Sequence, residues 1–179
     1  MTQEEIIVGK LQDPHISVMI SASLAINARV FVELGTGPGL ATEAFSDLAK
    51  FTGGIVYTID KYPDKPAVSE TKKRLADRDN IIFIADDSIE AGEKWDKGEI
   101  DVLFVDSDHA YNHVLNELEV WSKHNPKLIF VHDIRRMKSR EWNDPYYAMR
   151  DFCTKKKKKF ICFTPDPEGV GMILWRFEQ

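Results

Sequence analysis

Five short runs rich in Val, Ile and Phe constrain this chain most: residues 29–34 (RVFVEL), 54–60 (GIVYTID), 81–86 (IIFIAD), 101–106 (DVLFVD) and 127–133 (KLIFVHD). They are continuously apolar rather than alternating, so they read as strands covered on both faces. Helical patterns separate them. Leu40, Ala44 and Leu48 share a stripe with Ala41 and Phe45, and Val114, Leu118 and Trp121 share another with Leu115 beside them. Strand and helix therefore alternate, which implies an α/β fold around a parallel sheet with right-handed crossovers. Ahead of the first strand, Asp13 suits an N-cap and Pro14 a first helical position, with Ile16, Met19, Ile20, Ser23 and Leu24 on the buried face. After the fifth strand come a polar and aromatic stretch (135–147), a helix from Pro145 to about Lys156, and two strands (160–165 and 171–177) joined by the turn-rich DPEG. These form an antiparallel finish. The length of 179 residues suits one domain spanning 1–179, and neither an internal repeat nor a linker is visible.

A hydrophobic content of 43% with 30% charged residues fits a folded globular chain and excludes a disordered one. The net charge of -5 argues against general binding to nucleic acid, which needs a surplus of Lys and Arg. The run Lys155 to Lys159 reads instead as the solvated end of a helix beside an apolar strand. Two cysteines, Cys153 and Cys162, give neither a disulfide framework nor a CxxC zinc pattern. The first ten residues lack a basic segment followed by an apolar core, and no apolar stretch approaches the ~20 residues that span a bilayer. The expectation is a cytoplasmic protein without a membrane partner; a homo-oligomer is left open.

The first strand runs into VELGTGPG, residues 32–39. A dinucleotide fingerprint would need a glycine where Leu40 stands, and the phosphate-binding P-loop would need a Gly-Lys-Ser/Thr that is missing. What remains is an acid, Glu33, opening a loop with Gly35, Gly37 and Gly39. All five strands end in acids: Glu33, Asp60, Asp86 with Asp87, Asp106 and Asp133. Ligands of open parallel sheets bind at the carboxyl ends of the strands. A pyrophosphate would be repelled there, whereas a ligand carrying a sulfonium and an ammonium would be attracted. S-adenosylmethionine (SAM) carries both, and its ribose diol can donate hydrogen bonds to a carboxylate.

On these motifs, VELGTGPG, YTID (57–60) and ADDS (85–88), the chain resembles the class I SAM-dependent methyltransferases over nearly its whole length. The resemblance implies a Rossmann-like fold with a seven-stranded, mostly parallel sheet, one antiparallel strand and helices on both faces. It also implies that Gly35, Thr36, Gly37 and Gly39 line the cofactor. Asp60 would bind the ribose hydroxyls, Asp87 with Ser88 would sit by the adenine, and Glu33 would lie near the methionine portion. The segment DVLFVDSDHAYNHVLNELEVW (101–121) followed by KLIFVHDI (127–134) is similar to the small O-methyltransferase-like family of the cephalosporin-hydroxylase group. It is similar more distantly to catechol and caffeoyl-CoA O-methyltransferases. Carried over from the latter, Asp106, His132 and Asp133 stand where a divalent cation is held, and His109 stands where a lysine acts as base.

The pattern departs from those distant relatives at His109 and His132. An imidazole with an unperturbed pKa near ~6.5 can accept a hydroxyl proton, so His109 is the candidate base, beside Asp106. A histidine ligand at 132 would turn the preference from Mg toward Mn, Fe or Zn; Mg or Mn is the expected ion, and a site without metal stays open. Asp108 is expected to cap a helix starting near Ala110, His113 and His124 to be surface residues, and His15 is unassigned. Trp142, Tyr146 and Tyr147, around NDPYY (143–147), are candidates for an acceptor-pocket wall, with docking on the core as the equal alternative. Three readings follow: an enzyme moving the SAM methyl group to a hydroxyl of a small molecule, a SAM-binding enzyme acting on a macromolecule, or a noncatalytic domain that keeps the fold for assembly.

Overall fold

The computed structural model describes residues 13–134, 144–163 and 169–176. Trp142, Asn143 and most of the DPEG turn lie outside them. Helix α1 (Pro14–Ala25) starts where Asp13 accepts the His15 and Ile16 amides at 2.8 and 3.1 Å. Strand β1 (Val30–Leu34), α2 (Leu40–Thr52), β2 (Ile55–Ile59), α3 (Pro66–Arg74) and β3 (Ile81–Ile84) follow. Next come α4 (Ser88–Glu93), β4 (Val102–Val105), α5 (Tyr111–Trp121) with a 3-10 turn (Ser122–His124), and β5 (Leu128–His132). The chain then passes through α6 (Asp144–Lys156), β6 (Phe160–Phe163) and β7 (Val170–Leu174).

All seven strands join one sheet in the order β3-β2-β1-β4-β5-β7-β6. Strands β1 to β5 are parallel, and β7 runs antiparallel to both β5 and β6. One antiparallel strand in an otherwise parallel sheet is the arrangement expected from the sequence. Helices cover both faces. On one, Ile16, Met19 and Ile20 of α1 and Phe45 and Leu48 of α2 pack on Phe31, Val56, Phe104 and Phe130. On the other, Val114, Leu118 and Trp121 of α5 and Met149 and Phe152 of α6 pack on Leu34, Leu103, Ile129 and Ile173. Each fully buried side chain of this size contributes about 1.5–3 kcal/mol relative to exposure. Among the described residues, no helix is long and apolar enough to cross a membrane.

Several local expectations are corrected. Leu24 is 47% exposed and Leu40 62%, so neither belongs to the buried stripe of its helix. Strand β3 lies at the sheet edge with Ile82 exposed, so it is not covered on both faces. Asp108 is not the N-cap of α5: that position is Ala110, whose amide Asp108 binds at 2.8 Å, while Asp144 at the start of α6 takes the Tyr111 amide at 3.0 Å. His113 and His124 are half-buried and bonded rather than surface residues, since His124 Nε2 meets the Gly92 carbonyl at 2.7 Å and His113 meets Ser88 and Glu117. Lys155 and Lys156 each sit 2.7 Å from Glu119 of α5.

Candidate functional site

The chain order turns back between β1 and β4, which are sheet neighbours although β2 and β3 intervene in sequence. A crevice opens at such a switch point, outside the carboxyl ends of the strands. The glycine loop fills its floor. Gly35 has φ +92°, and a Cβ there would lie 2.2 Å from the Asp106 carbonyl oxygen. Only glycine lets the loop after β1 press this closely on the end of β4. Gly39, with φ +74°, is the N-cap of α2 and would meet Thr71 in the same way.

Two cavities flank the loop. One of about 470 Å³ is lined by Asp60 and Lys61 after β2, Asp87 and Ser88 after β3, and His113 of α5. The other, about 390 Å³, is lined by Glu33, Thr36, Gly37 and Gly39 together with His15 and Met19 of α1. Gly35, Ser107 and His109 line both, so the two form one continuous cleft. The residues expected to hold a cofactor, Glu33, Gly35, Thr36, Gly37, Gly39, Asp60, Asp87 and Ser88, all border this cleft.

The electrostatics differ along it. Glu33 is 1% exposed and accepts a hydrogen bond from Thr42 Oγ1 at 2.5 Å. Burial dominates and pushes its pKa up to about 8 despite the threonine hydroxyls, with the charge of Asp106 adding to the rise. Asp60 accepts the Tyr62 amide at 2.8 Å. Asp87 caps α4 through the Ile89 and Glu90 amides and pairs with Lys61 Nζ at 3.0 Å. Burial raises the Asp87 pKa, but Lys61 and the helix amides outweigh it and hold the carboxyl below its ordinary value.

Where the two cavities meet, His109 lies between two carboxylates. Its Nε2 is 3.4 Å from Asp106 Oδ1 and its Nδ1 is 3.1 Å from Asp133 Oδ2. The hydrogen bond to Asp106 raises the His109 pKa; burial opposes this and the charge of Asp133 reinforces it. Burial raises the Asp106 carboxyl in turn, and the bonds and charges of His109 and His132 bring it below the usual range. Asp133 occupies the left-handed region at φ +53°, a conformation that costs a non-glycine residue energy and tends to persist at functional sites. One donor atom each from Asp106, His109 and Asp133 lies within 4.8 Å of the other two, a separation that suits a shared cation.

His132 stands one layer behind. Its Nδ1 is 3.2 Å from Asp106 and 3.4 Å from Asp133, and its Nε2 is 2.9 Å from His15 Nδ1. The Gly169 amide donates to His15 Nε2 at 3.2 Å, so His15 carries its proton on Nδ1 and donates it to His132 Nε2. His132 then keeps a proton on Nδ1, directed at the two carboxylates. The sequence reading left His15 unassigned because nothing in a histidine beside a helix-starting proline announces a partner at position 132. Glu117 was also missed, although it carries a signal: it falls on the buried face of α5 that Val114, Leu118 and Trp121 define, where a carboxylate is out of place.

No curated protein sequence matches the chain. Solved structures of similar fold include an O-methyltransferase from Bacillus cereus in complex with S-adenosylhomocysteine (SAH), with TM-score 0.68 and 17% identity over 96% of this chain and 90% of that one. The O-methyltransferase TomG of tomaymycin synthesis from Streptomyces achromogenes, in complex with SAM, aligns with TM-score 0.70 and 14% identity over 90% and 79%. The SAH-bound methyltransferase PaMTH1 of Podospora anserina aligns with TM-score 0.68 and 17% identity over 90% and 77%. At such identities these likenesses show the fold. The family model described as "Methyltransferase domain" matches residues 32–134, which carry the glycine loop, the strand-end acids and both histidines of the carboxylate cluster, and the chain belongs to that family.

Proposed function

We propose that this protein binds SAM in the continuous cleft and transfers its methyl group to a hydroxyl of a small molecule. The observation that carries the proposal is the placement of His109, held between Asp106 and Asp133, where both cavities meet beside the glycine loop. The likeness to O-methyltransferases with bound SAM or SAH supports the choice of cofactor and of an oxygen acceptor. In this reading Asp60 takes the ribose diol, Asp87 and Ser88 flank the adenine, and Glu33 lies beneath the methionine portion. His109 accepts the acceptor's proton, and Asp106 and Asp133 stabilise the imidazolium that forms. Holding the two reactants in line supplies much of the remaining rate gain.

The donor set also fits a divalent cation. Asp106, Asp133 and His109 would hold it, in which case the cation would take over from His109 the task of easing proton loss, and His132, the ligand expected from the sequence, would instead orient the carboxylates through its Nδ1 proton. A mixed oxygen and nitrogen set favours Mn, Fe or Zn over Mg. When bound, the ion would lower the pKa of an acceptor hydroxyl. The test is calorimetry with SAM and SAH, followed by a SAM-consumption screen over small hydroxylated compounds, with and without Mn or chelator. Binding of SAH together with turnover of a hydroxylated acceptor supports the reading; tight NAD binding with no affinity for SAM or SAH overturns it.

A further inference from the structure

A second group of polar side chains, of which the reading above uses only Ser88, ties the loop after β3 to the loop after β4. Glu117 is fully buried on α5. Its Oε1 accepts a hydrogen bond from Ser107 at 2.5 Å and lies 3.3 Å from His113 Nε2, while its Oε2 has no hydrogen-bond partner among the described residues. His113 Nε2 is also 3.2 Å from Ser88 Oγ, and the Trp121 indole fixes the Ser88 carbonyl at 2.8 Å. Leaving a carboxylate oxygen buried without a partner is costly, so a purely structural role would be served better by an apolar residue at 117.

Ser88, Ser107 and His113 all line the 470 Å³ cavity that Asp60 also lines. Facing a carboxylate, His113 Nε2 carries a hydrogen, and its Nδ1 has no partner among the described residues. The Glu117 contact raises the His113 pKa against the effect of burial, and Asp108 and Asp87 add to the rise; Lys61, paired with Asp87, is the cation on that side. With Nε2 engaged by Glu117 and Ser88, Nδ1 is the ring atom left to a ligand in the cavity that His113 lines, and the fully buried Glu117 carboxylate beside the ring favours the doubly protonated form, in which Nδ1 is a donor. An adenosyl ligand brings unprotonated ring nitrogens, which are the matching acceptors.

We infer that His113 is a specificity-determining residue of this cavity, donating from Nδ1 to a ring nitrogen of the purine base, with Glu117 as the positioning residue that fixes its ring. The inference rests on the SAM reading above. The probes are SAH and its 1-deaza, 3-deaza and 7-deaza analogues, titrated calorimetrically into the wild-type protein and His113→Phe. Wild type is expected to lose about tenfold in affinity for one of the three analogues. His113→Phe should bind SAH about tenfold more weakly than wild type and should no longer distinguish that analogue from SAH. Glu117→Gln should move the pH midpoint of SAH affinity downward, because it removes the charge that holds the proton on His113; a merely structural role would lower the melting temperature and leave the midpoint in place. SAH binding with the same analogue pattern in wild type and His113→Phe overturns this inference alone. A wild-type protein that binds no SAH overturns the cofactor reading and this inference with it.

Discussion

Two walls of the cleft are built by different means. The glycine-loop wall is shaped by backbone: Gly35 and Gly39 take positive φ so that the loop can press against β4 and α3. The facing wall is shaped by side chains, with Asp106, His109, His132, Asp133 and His15 gathered from three separate segments and held by mutual charge and hydrogen bonds. A backbone-built wall is specified locally and tolerates changes of charge. A charge-built cluster depends on every member, so each removal leaves another group unpaired.

The largest effect that tests this contrast is expected at Asp106. Asp106→Asn should lower methyl transfer by roughly 10²–10⁴-fold, because His109 loses one of its two carboxylates, while SAH affinity stays within about twofold. Single-turnover kinetics beside calorimetry would show it. An equal loss in binding and turnover would mean that the two walls are one unit after all.

Glu33 gives the next effect, on stability. Its folded pKa of about 8 exceeds the ordinary value of 4.5 that it has in the unfolded chain, so the protonated form is the one the fold favours. Its contribution is fully present below about pH 4.5 and is lost as pH rises through about 8. At about 1.4 kcal/mol per pKa unit, this amounts to roughly 3–5 kcal/mol across the window. Denaturant unfolding of the ligand-free protein should show Glu33→Gln lacking this slope, with its advantage over wild type growing toward alkaline pH. Parallel pH profiles for the two proteins would refute the buried, protonated carboxyl.

Asp60→Ala should cost roughly 1.5–3 kcal/mol of SAM binding by calorimetry, the size of a charge-assisted hydrogen bond, without changing the metal response of turnover. A change in that response would join the two walls. The smallest effect is expected at His15. His15→Phe removes the donor to His132 Nε2 and should cost about 0.5–1.5 kcal/mol in stability, with a modest fall in turnover. If His15→Phe matched Asp106→Asn in turnover, the histidine pair would belong to the reaction rather than to its support.

The sheet was legible because parallel strands buried on both faces must be continuously apolar, and the helices between them must carry a stripe. Strands 29–34 and 101–106 show the first and Val114, Leu118 and Trp121 the second. Leu24 and Leu40 were misplaced for the converse reason: periodicity shows which side of a helix they share, but the extent of the neighbouring elements decides whether anything covers them. The cap of α5 failed similarly, since Asp144 arrives from a distant helix to take the Tyr111 amide.

The sequence by itself determined the alternation of strands and helices, the glycine loop and the row of acids at the strand ends. These are local requirements of backbone conformation and burial, and local requirements leave local signatures. Tertiary structure alone decided that His109 stands between Asp106 and Asp133, that His15 supports His132, and that Glu117 lies buried behind His113. Those pairings join residues up to 117 positions apart. Their energies depend on distance and burial, which no single stretch of chain carries.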